Sequence, residues 1–175
     1  PTSDALADRV AARLNATPAH RILEPSAGEG ALVAAVLRGM PRPPLALALI
    51  EKDPGRVAVL REQFQASLFC DDFLGVSETG FYPFDKIAMN PPFHRGADDL
   101  HVMHALNFLA PGGRLVAIAS SMLARRPTKP SKDLGDRLDA WGGWTIEPLP
   151  EGSFKAAGTN VATVMLTVDR PKGDA

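Results

Sequence analysis

The sequence predicts an α/β fold: a mostly parallel sheet with helices on both faces, to which a C-terminal hairpin adds an antiparallel strand. Three observations predict it. Short apolar runs alternate with helical repeats from Leu6 to Trp141, as they do when strands run parallel and helices cross between them. Leu45 to Ile50 is apolar without alternation, which suits a strand covered on both faces. Beyond Trp141, the runs Trp144–Leu149 and Val161–Val168 follow one another with no helical pattern between them, so they should pair antiparallel.

Each element has its own local reason. Leu6, Val10 and Leu14 recur every four residues behind Thr2, Ser3 and Asp4, giving an amphipathic helix within residues 1–16. Arg21–Leu23 is a short strand entering the turn Glu24–Gly30. The next helix has Leu32, Val33, Val36 and Leu37 on one face and stops at Gly39. After the strand ending at Ile50, Asp53 and Pro54 supply a cap and a first-turn proline, and Val57, Leu60 and Phe64 form the buried side. Ser67–Cys70 is a third strand and Ile87–Met89 a fourth, ending at Asn90. Asp98 and Asp99 open a helix running to about Leu109. Pro111–Gly113 then turns the chain into a fifth strand, Arg114–Ala119, and Leu134, Leu138 and Trp141 mark the last helix.

Composition narrows the function. The 175 residues carry a formal net charge of -1, with 45% hydrophobic and 22% charged residues, as in an ordinary globular protein. One domain spanning 1–175 is expected. Nucleic-acid affinity would have to come from a local basic patch or from elsewhere. Cys70 is the single cysteine, which excludes an intrachain disulfide and suggests a reducing, cytoplasmic setting. The apolar runs are too short to span a bilayer.

The chemistry concentrates at strand ends. The loop Glu24-Pro25-Ser26-Ala27-Gly28-Glu29-Gly30 lets backbone N–H groups and a helix start approach a ligand. Glu51, about twenty residues on at the end of the second strand, is placed to accept hydrogen bonds from ribose hydroxyls. A dinucleotide enzyme would share this much, but Val33 stands where the third glycine of G-x-G-x-x-G belongs. The Tyr82/Lys86 pair that could serve such an enzyme falls before and inside the fourth strand. Asn90-Pro91-Pro92-Phe93 ends that strand. The prolines fix the backbone and remove N–H donors, so a carboxamide, two backbone acceptors and an aromatic ring form one rigid corner.

On these residues the chain resembles the class I methyltransferases that act on amino groups, particularly the adenine-specific DNA enzymes. The resemblance covers nearly the whole chain. Glu24–Gly30 looks like their S-adenosylmethionine loop, Glu51-Lys52-Asp53-Pro54 like their ribose-binding strand end, and Asn90–Phe93 like their catalytic motif. Asp71-Asp72-Phe73-Leu74 resembles the segment whose aspartate bonds the cofactor adenine amine while the next aromatic packs on that ring. The opening helix with Thr2 looks like the accessory cofactor-binding segment. Phe154-Lys155-x-x-Gly158-Thr159-x-Val161 resembles a late hairpin of adenine-type members. The resemblance implies a single-domain Rossmann-like sheet of seven strands, one of them antiparallel. It implies S-adenosylmethionine at Thr2, Glu24, Pro25, Ser26, Ala27, Gly28, Gly30, Glu51, Lys52, Asp72, Phe73 and Asn90, and catalysis by Asn90, Pro91, Pro92 and Phe93. The chain departs from those DNA enzymes in having no room for a separate target-recognition region, so a partner protein or missing segment would serve that purpose. Guanine-amine methyltransferases of ribosomal RNA share the motif followed by a histidine, as His94 does, and glutamine-amide methyltransferases of release factors share Asn-Pro-Pro with an aromatic. DNA is the expected partner ahead of RNA. A catalytically idle methyltransferase-like subunit is an alternative of another class.

The remaining candidates surround this corner. His94 and Arg95 follow it directly and are expected to touch substrate. Arg125, Arg126, Lys129 and Lys132 form a basic cluster, read as a Pro-interrupted loop that could contact phosphates. His101 and His104 lie three apart on a helix and read as a solvated face rather than a metal site. Cys70 reads as core or pocket lining.

Overall fold

The structure is a computed structural model that describes residues 2–93, 96–125, 128–150 and 162–173. Five helices and a seven-stranded sheet occur among the described residues, in the order α1 (Asp4–Leu14), β1 (Arg21–Glu24), α2 (Ala31–Arg38), β2 (Ala46–Ile50), α3 (Pro54–Gln63), β3 (Ser67–Phe69), β4 (Phe84–Met89), α4 (Ala97–Phe108), β5 (Leu109–Ser120), α5 (Lys129–Trp141), β6 (Trp144–Pro148) and β7 (Thr163–Asp169). The sheet order is β3-β2-β1-β4-β5-β7-β6. β7 runs antiparallel to both neighbours and the other contacts are parallel. The expected fold is therefore the observed one, with its antiparallel strand supplied by the C-terminal pair.

Alternate residues of each strand enter opposite cores. Ile22, Leu47, Leu49, Ala88, Val116 and Ile118 pack with Leu6, Val10 and Leu14 of α1 and Leu32 and Val36 of α2. Leu23, Ala48, Ile50, Ile87, Met89, Leu115 and Ala117 pack with Val102 and Leu106 of α4 and Leu134 and Leu138 of α5. This period of two, with both faces covered, is why the strands look uniformly apolar in the sequence. From β1 the chain winds outward through β2 to β3, then returns to β4 on the other side of β1. The β1/β4 junction is thus the point where strand order reverses, which is where such sheets hold ligands.

Three local expectations are corrected. The Pro111–Gly113 turn lies inside β5, which pairs with β4 at both Phe84–Leu109 and Lys86–Arg114 across an irregularity. Lys129 and Lys132 are helical, not in a loop: Thr128 caps α5 in a reciprocal pair with Ser131, and Pro130 stands in the first turn, where a proline costs no hydrogen bond. Cys70 is exposed, because β3 is a three-residue edge strand with little covering it. The Phe154–Val161 hairpin motif, with His94, Arg95 and Arg126, lies outside the described residues.

Candidate active site

The loop after β1 is held in shape by β2. Ala27 N–H donates to the Ile50 carbonyl at 3.0 Å and Gly30 N–H to the Ala27 carbonyl at 2.8 Å. The Glu51 carboxylate takes Gly28 N–H on Oε2 at 2.8 Å and Asp53 N–H on Oε1 at 2.9 Å. One side chain therefore ties the loop to the start of α3, and each oxygen keeps a second lone pair for a ligand. Gly28 and Gly30 both have left-handed φ, +56° and +83°. Gly30 has a further reason to lack a side chain: a Cβ there would lie 2.6 Å from the Phe64 ring.

The ends of β1, β2 and β4 enclose a cleft of about 870 Å³, lined by Thr2, Glu24–Gly28, Glu51, Lys52, Asp72, Phe73 and Asn90–Phe93, with His101 and Arg56 among the others. Nearly all the expected cofactor and catalytic positions converge there. Gly30, Arg125 and Lys129 are not among the lining residues. Lys129 instead pairs with Asp133 one turn along α5.

The electrostatics of the cleft are acidic. Glu24 is 3% exposed, and its Oε2 has no hydrogen-bond partner. Burial raises its pKa well above the usual carboxylate range; a hydrogen bond from the Val33 backbone opposes this, and the neighbouring Glu51 charge adds to it. Asp72 caps the 3-10 turn Phe73–Gly75, accepting from Leu74 N–H at 3.1 Å. Phe73 is buried and meets His104, Phe108 and His101 at ring separations of 4.7, 5.4 and 5.9 Å.

Asn90 stands just beyond β4 with its amide divided between two environments. Nδ2 donates to Thr2 Oγ1 at 2.8 Å, while Oδ1 is buried without a partner. Phe93, on the same cleft wall, packs against the core beneath α1 and α2.

Helix α4 differs from its expected surface role. Asp98, Asp99 and His101 are buried, at 1%, 5% and 8% exposure, and the His104 ring nitrogen lies 2.8 Å from the Val76 carbonyl. The helix has neighbours on several sides, including β5, α5 and the 3-10 turn. Asp98 Oδ2 accepts Ser120 N–H at 2.7 Å, tying the helix start to the end of β5. His101 is a cleft residue that the sequence reading missed. The signal was available: apolar residues occur all round this helix, so the pattern marks no polar face on which its histidines could be assumed solvated.

The model of the methyltransferase small domain family matches residues 2–136. The chain belongs to the methyltransferase small domain family. A small-domain methyltransferase takes its methyl group from S-adenosylmethionine, and the acidic cleft fits such a cationic cofactor, with a buried carboxylate oxygen at Glu24 still lacking a partner. No curated protein matches the chain. Solved structures with the same fold include the methyltransferase subunit of a type I restriction-modification system from Streptococcus thermophilus (14% identity, 99% of this chain and 45% of that one, TM-score 0.82). TrmN from Thermus thermophilus matches at 19% identity over 95% and 48% of the two chains, TM-score 0.68. An rRNA methylase from Streptococcus thermophilus matches at 14% identity over 94% and 93%, TM-score 0.58. At these identities the likeness establishes the fold. The chain spans 44–62% of the length of the first structures it matches.

Proposed function

We propose that the chain methylates the exocyclic amine of adenine in DNA. The observation that carries this reading is the buried, unpartnered Asn90 Oδ1 in the cleft wall beside Phe93. A buried acceptor without a donor is costly, and an aryl amine supplies the donor. The amine is a weak nucleophile because its lone pair is delocalised into the ring. When bound, S-adenosylmethionine supplies an electrophilic methyl group on a sulfonium. Asn90 Oδ1 and the Pro91 carbonyl accept the two amine hydrogens, draw the nitrogen toward tetrahedral geometry and stabilise the positive charge that develops on it. Phe93 stacks on the base, which in duplex DNA must first be flipped from the helix.

Glu24–Gly28, Glu51, Lys52, Asp72 and Phe73 would hold the cofactor: Glu51 would take the ribose hydroxyls, Asp72 the adenine amine, and the unpartnered oxygen of Glu24 a donor of the cofactor. The net charge of -1 supplies little general attraction for nucleic acid, so target selection is assigned to a partner protein or a further segment. An amine of RNA is a second reading, favoured by the His94 that follows Phe93. The test offers labelled methyl donor with DNA, RNA and protein in parallel and identifies the product. N6-methyladenine in DNA supports the proposal; label confined to protein, or to a ring carbon, refutes it.

A further inference from the structure

We propose that Thr2 is a positioning residue for the methyl-transfer step, setting which face of the Asn90 amide meets the acceptor. This rests on the reading of Asn90 given above. An asparagine amide can present either its oxygen or its NH2, and the choice follows from its hydrogen-bond network. Here Asn90 Nδ2 donates to Thr2 Oγ1 at 2.8 Å and Oδ1 is left in the buried cleft wall with no donor. Rotating the amide by 180° would turn NH2 groups toward an amine that itself has only hydrogens to offer. A hydroxyl can accept from Nδ2 or donate to Oδ1; in the structure Thr2 accepts, and this pairing leaves Oδ1 for the incoming amine.

The two residues are 88 positions apart, and α1 is what brings them together. Leu6, Ala7, Val10 and Leu14 bury one face of α1. Arg9 and Arg13 both pair with Glu147 of β6 at 2.6 Å, and Arg114 of β5 donates to the Arg13 carbonyl at 3.1 Å. The helix is thereby fixed to the sheet at its far end while its first turn stands over the cleft, where Thr2 and Asp4 both line the wall. Thr2 precedes Ser3, the N-cap of α1, so the packed helix anchors it from one residue away, and a side chain held close to a rigid element can orient a catalytic amide. Thr2 entered from the sequence as a cofactor contact; the geometry assigns it instead to the acceptor side of the reaction.

The two roles separate in a kinetic test. Thr2→Val keeps the shape and removes the hydroxyl, Thr2→Ser keeps the hydroxyl, and each is combined with Asn90→Ala. Methyl transfer to an adenine-containing single-stranded DNA oligonucleotide is followed in single turnover at saturating S-adenosylmethionine, with cofactor affinity from calorimetry. Side-chain amide exchange of Asn90 is followed by NMR in protein without acceptor. Thr2→Val is expected to slow transfer by roughly three- to ten-fold, the scale of one net hydrogen bond, with cofactor affinity within twofold of the parent. Thr2→Ser restores most of the rate, and Thr2→Val adds nothing in the Asn90→Ala background. The Asn90 amide protons exchange faster in Thr2→Val. A slow Asn90→Ala with a parental Thr2→Val rate overturns the role of Thr2, as does a Thr2→Val defect confined to cofactor affinity. Unchanged Asn90 amide exchange overturns it whether or not the oligonucleotide is methylated. A parental rate for Asn90→Ala overturns the reading of Asn90 itself.

Discussion

Asn90 and Phe93 share a motif but should fail in different ways. Asn90→Ala removes an acceptor that matters most as the amine nitrogen becomes positive. By analogy with losing one preorganised oxyanion donor, transfer should slow by about 10²–10³-fold, or roughly 2.7–4 kcal/mol, with cofactor affinity little changed. Single-turnover rates at saturating cofactor measure this directly. Phe93→Ala removes a stacking platform worth about 1–3 kcal/mol per base, so the loss belongs in acceptor binding. Phe93→Trp should retain much of the activity. Acceptor titrations with the two Phe93 variants check both statements, and equal defects in Trp and Ala would rule out stacking.

At the scale of elements, the cofactor loop is shaped as much by its neighbours as by its glycines. Gly30 begins α2 in the left-handed region, and the Phe64 ring occupies the space a Cβ would need. Gly30→Ala therefore combines backbone strain with a clash, and should lower stability by about 1–3 kcal/mol. Adding Phe64→Leu should recover the steric part only. Urea unfolding of the single and double variants tests this; independent, additive losses would mean that the Phe64 contact is not the cause. G-x-G spacing marks the loop in the sequence, but the partner that makes Gly30 obligatory arrives from 34 residues downstream, at the end of α3.

For the whole molecule, buried acids set the pH response. Burial, and next the charge of Asp98, raise the Asp99 pKa from 3.8 to about 6. The folded protein therefore holds a proton that the unfolded chain releases. Its stability contribution is full below pH 4 and is lost as pH rises through about 6, a component of roughly 1–3 kcal/mol. Asp99→Asn carries no such charge, so it should gain stability relative to the parent between pH 4 and pH 7. Urea unfolding at both pH values measures the difference, and parallel pH profiles would show that Asp99 does not titrate in this range. Asp98 and Glu24 are raised in the same direction, so the parent should retain a net fall in stability over this interval.

By itself the sequence determined the α/β architecture, because period-two strands and period-3.6 helices are local consequences of which residues must be buried. It also determined the candidate cofactor and catalytic segments: Glu24–Gly28, Glu51, Asp72 and Asn90–Phe93 are short, and their chemistry is legible residue by residue. It misplaced His101, Cys70 and Lys129, whose surroundings depend on which element lies above α4, on β3 being an edge, and on a cap at Thr128. Only the tertiary structure decided that Glu51 staples the loop through Gly28, that Phe64 fills the space at Gly30, and that Thr2 meets Asn90. Each joins segments distant along the chain, and no periodicity encodes such a meeting. It is decided by where the strand order reverses and by the helix packing that brings α1 over the end of β4.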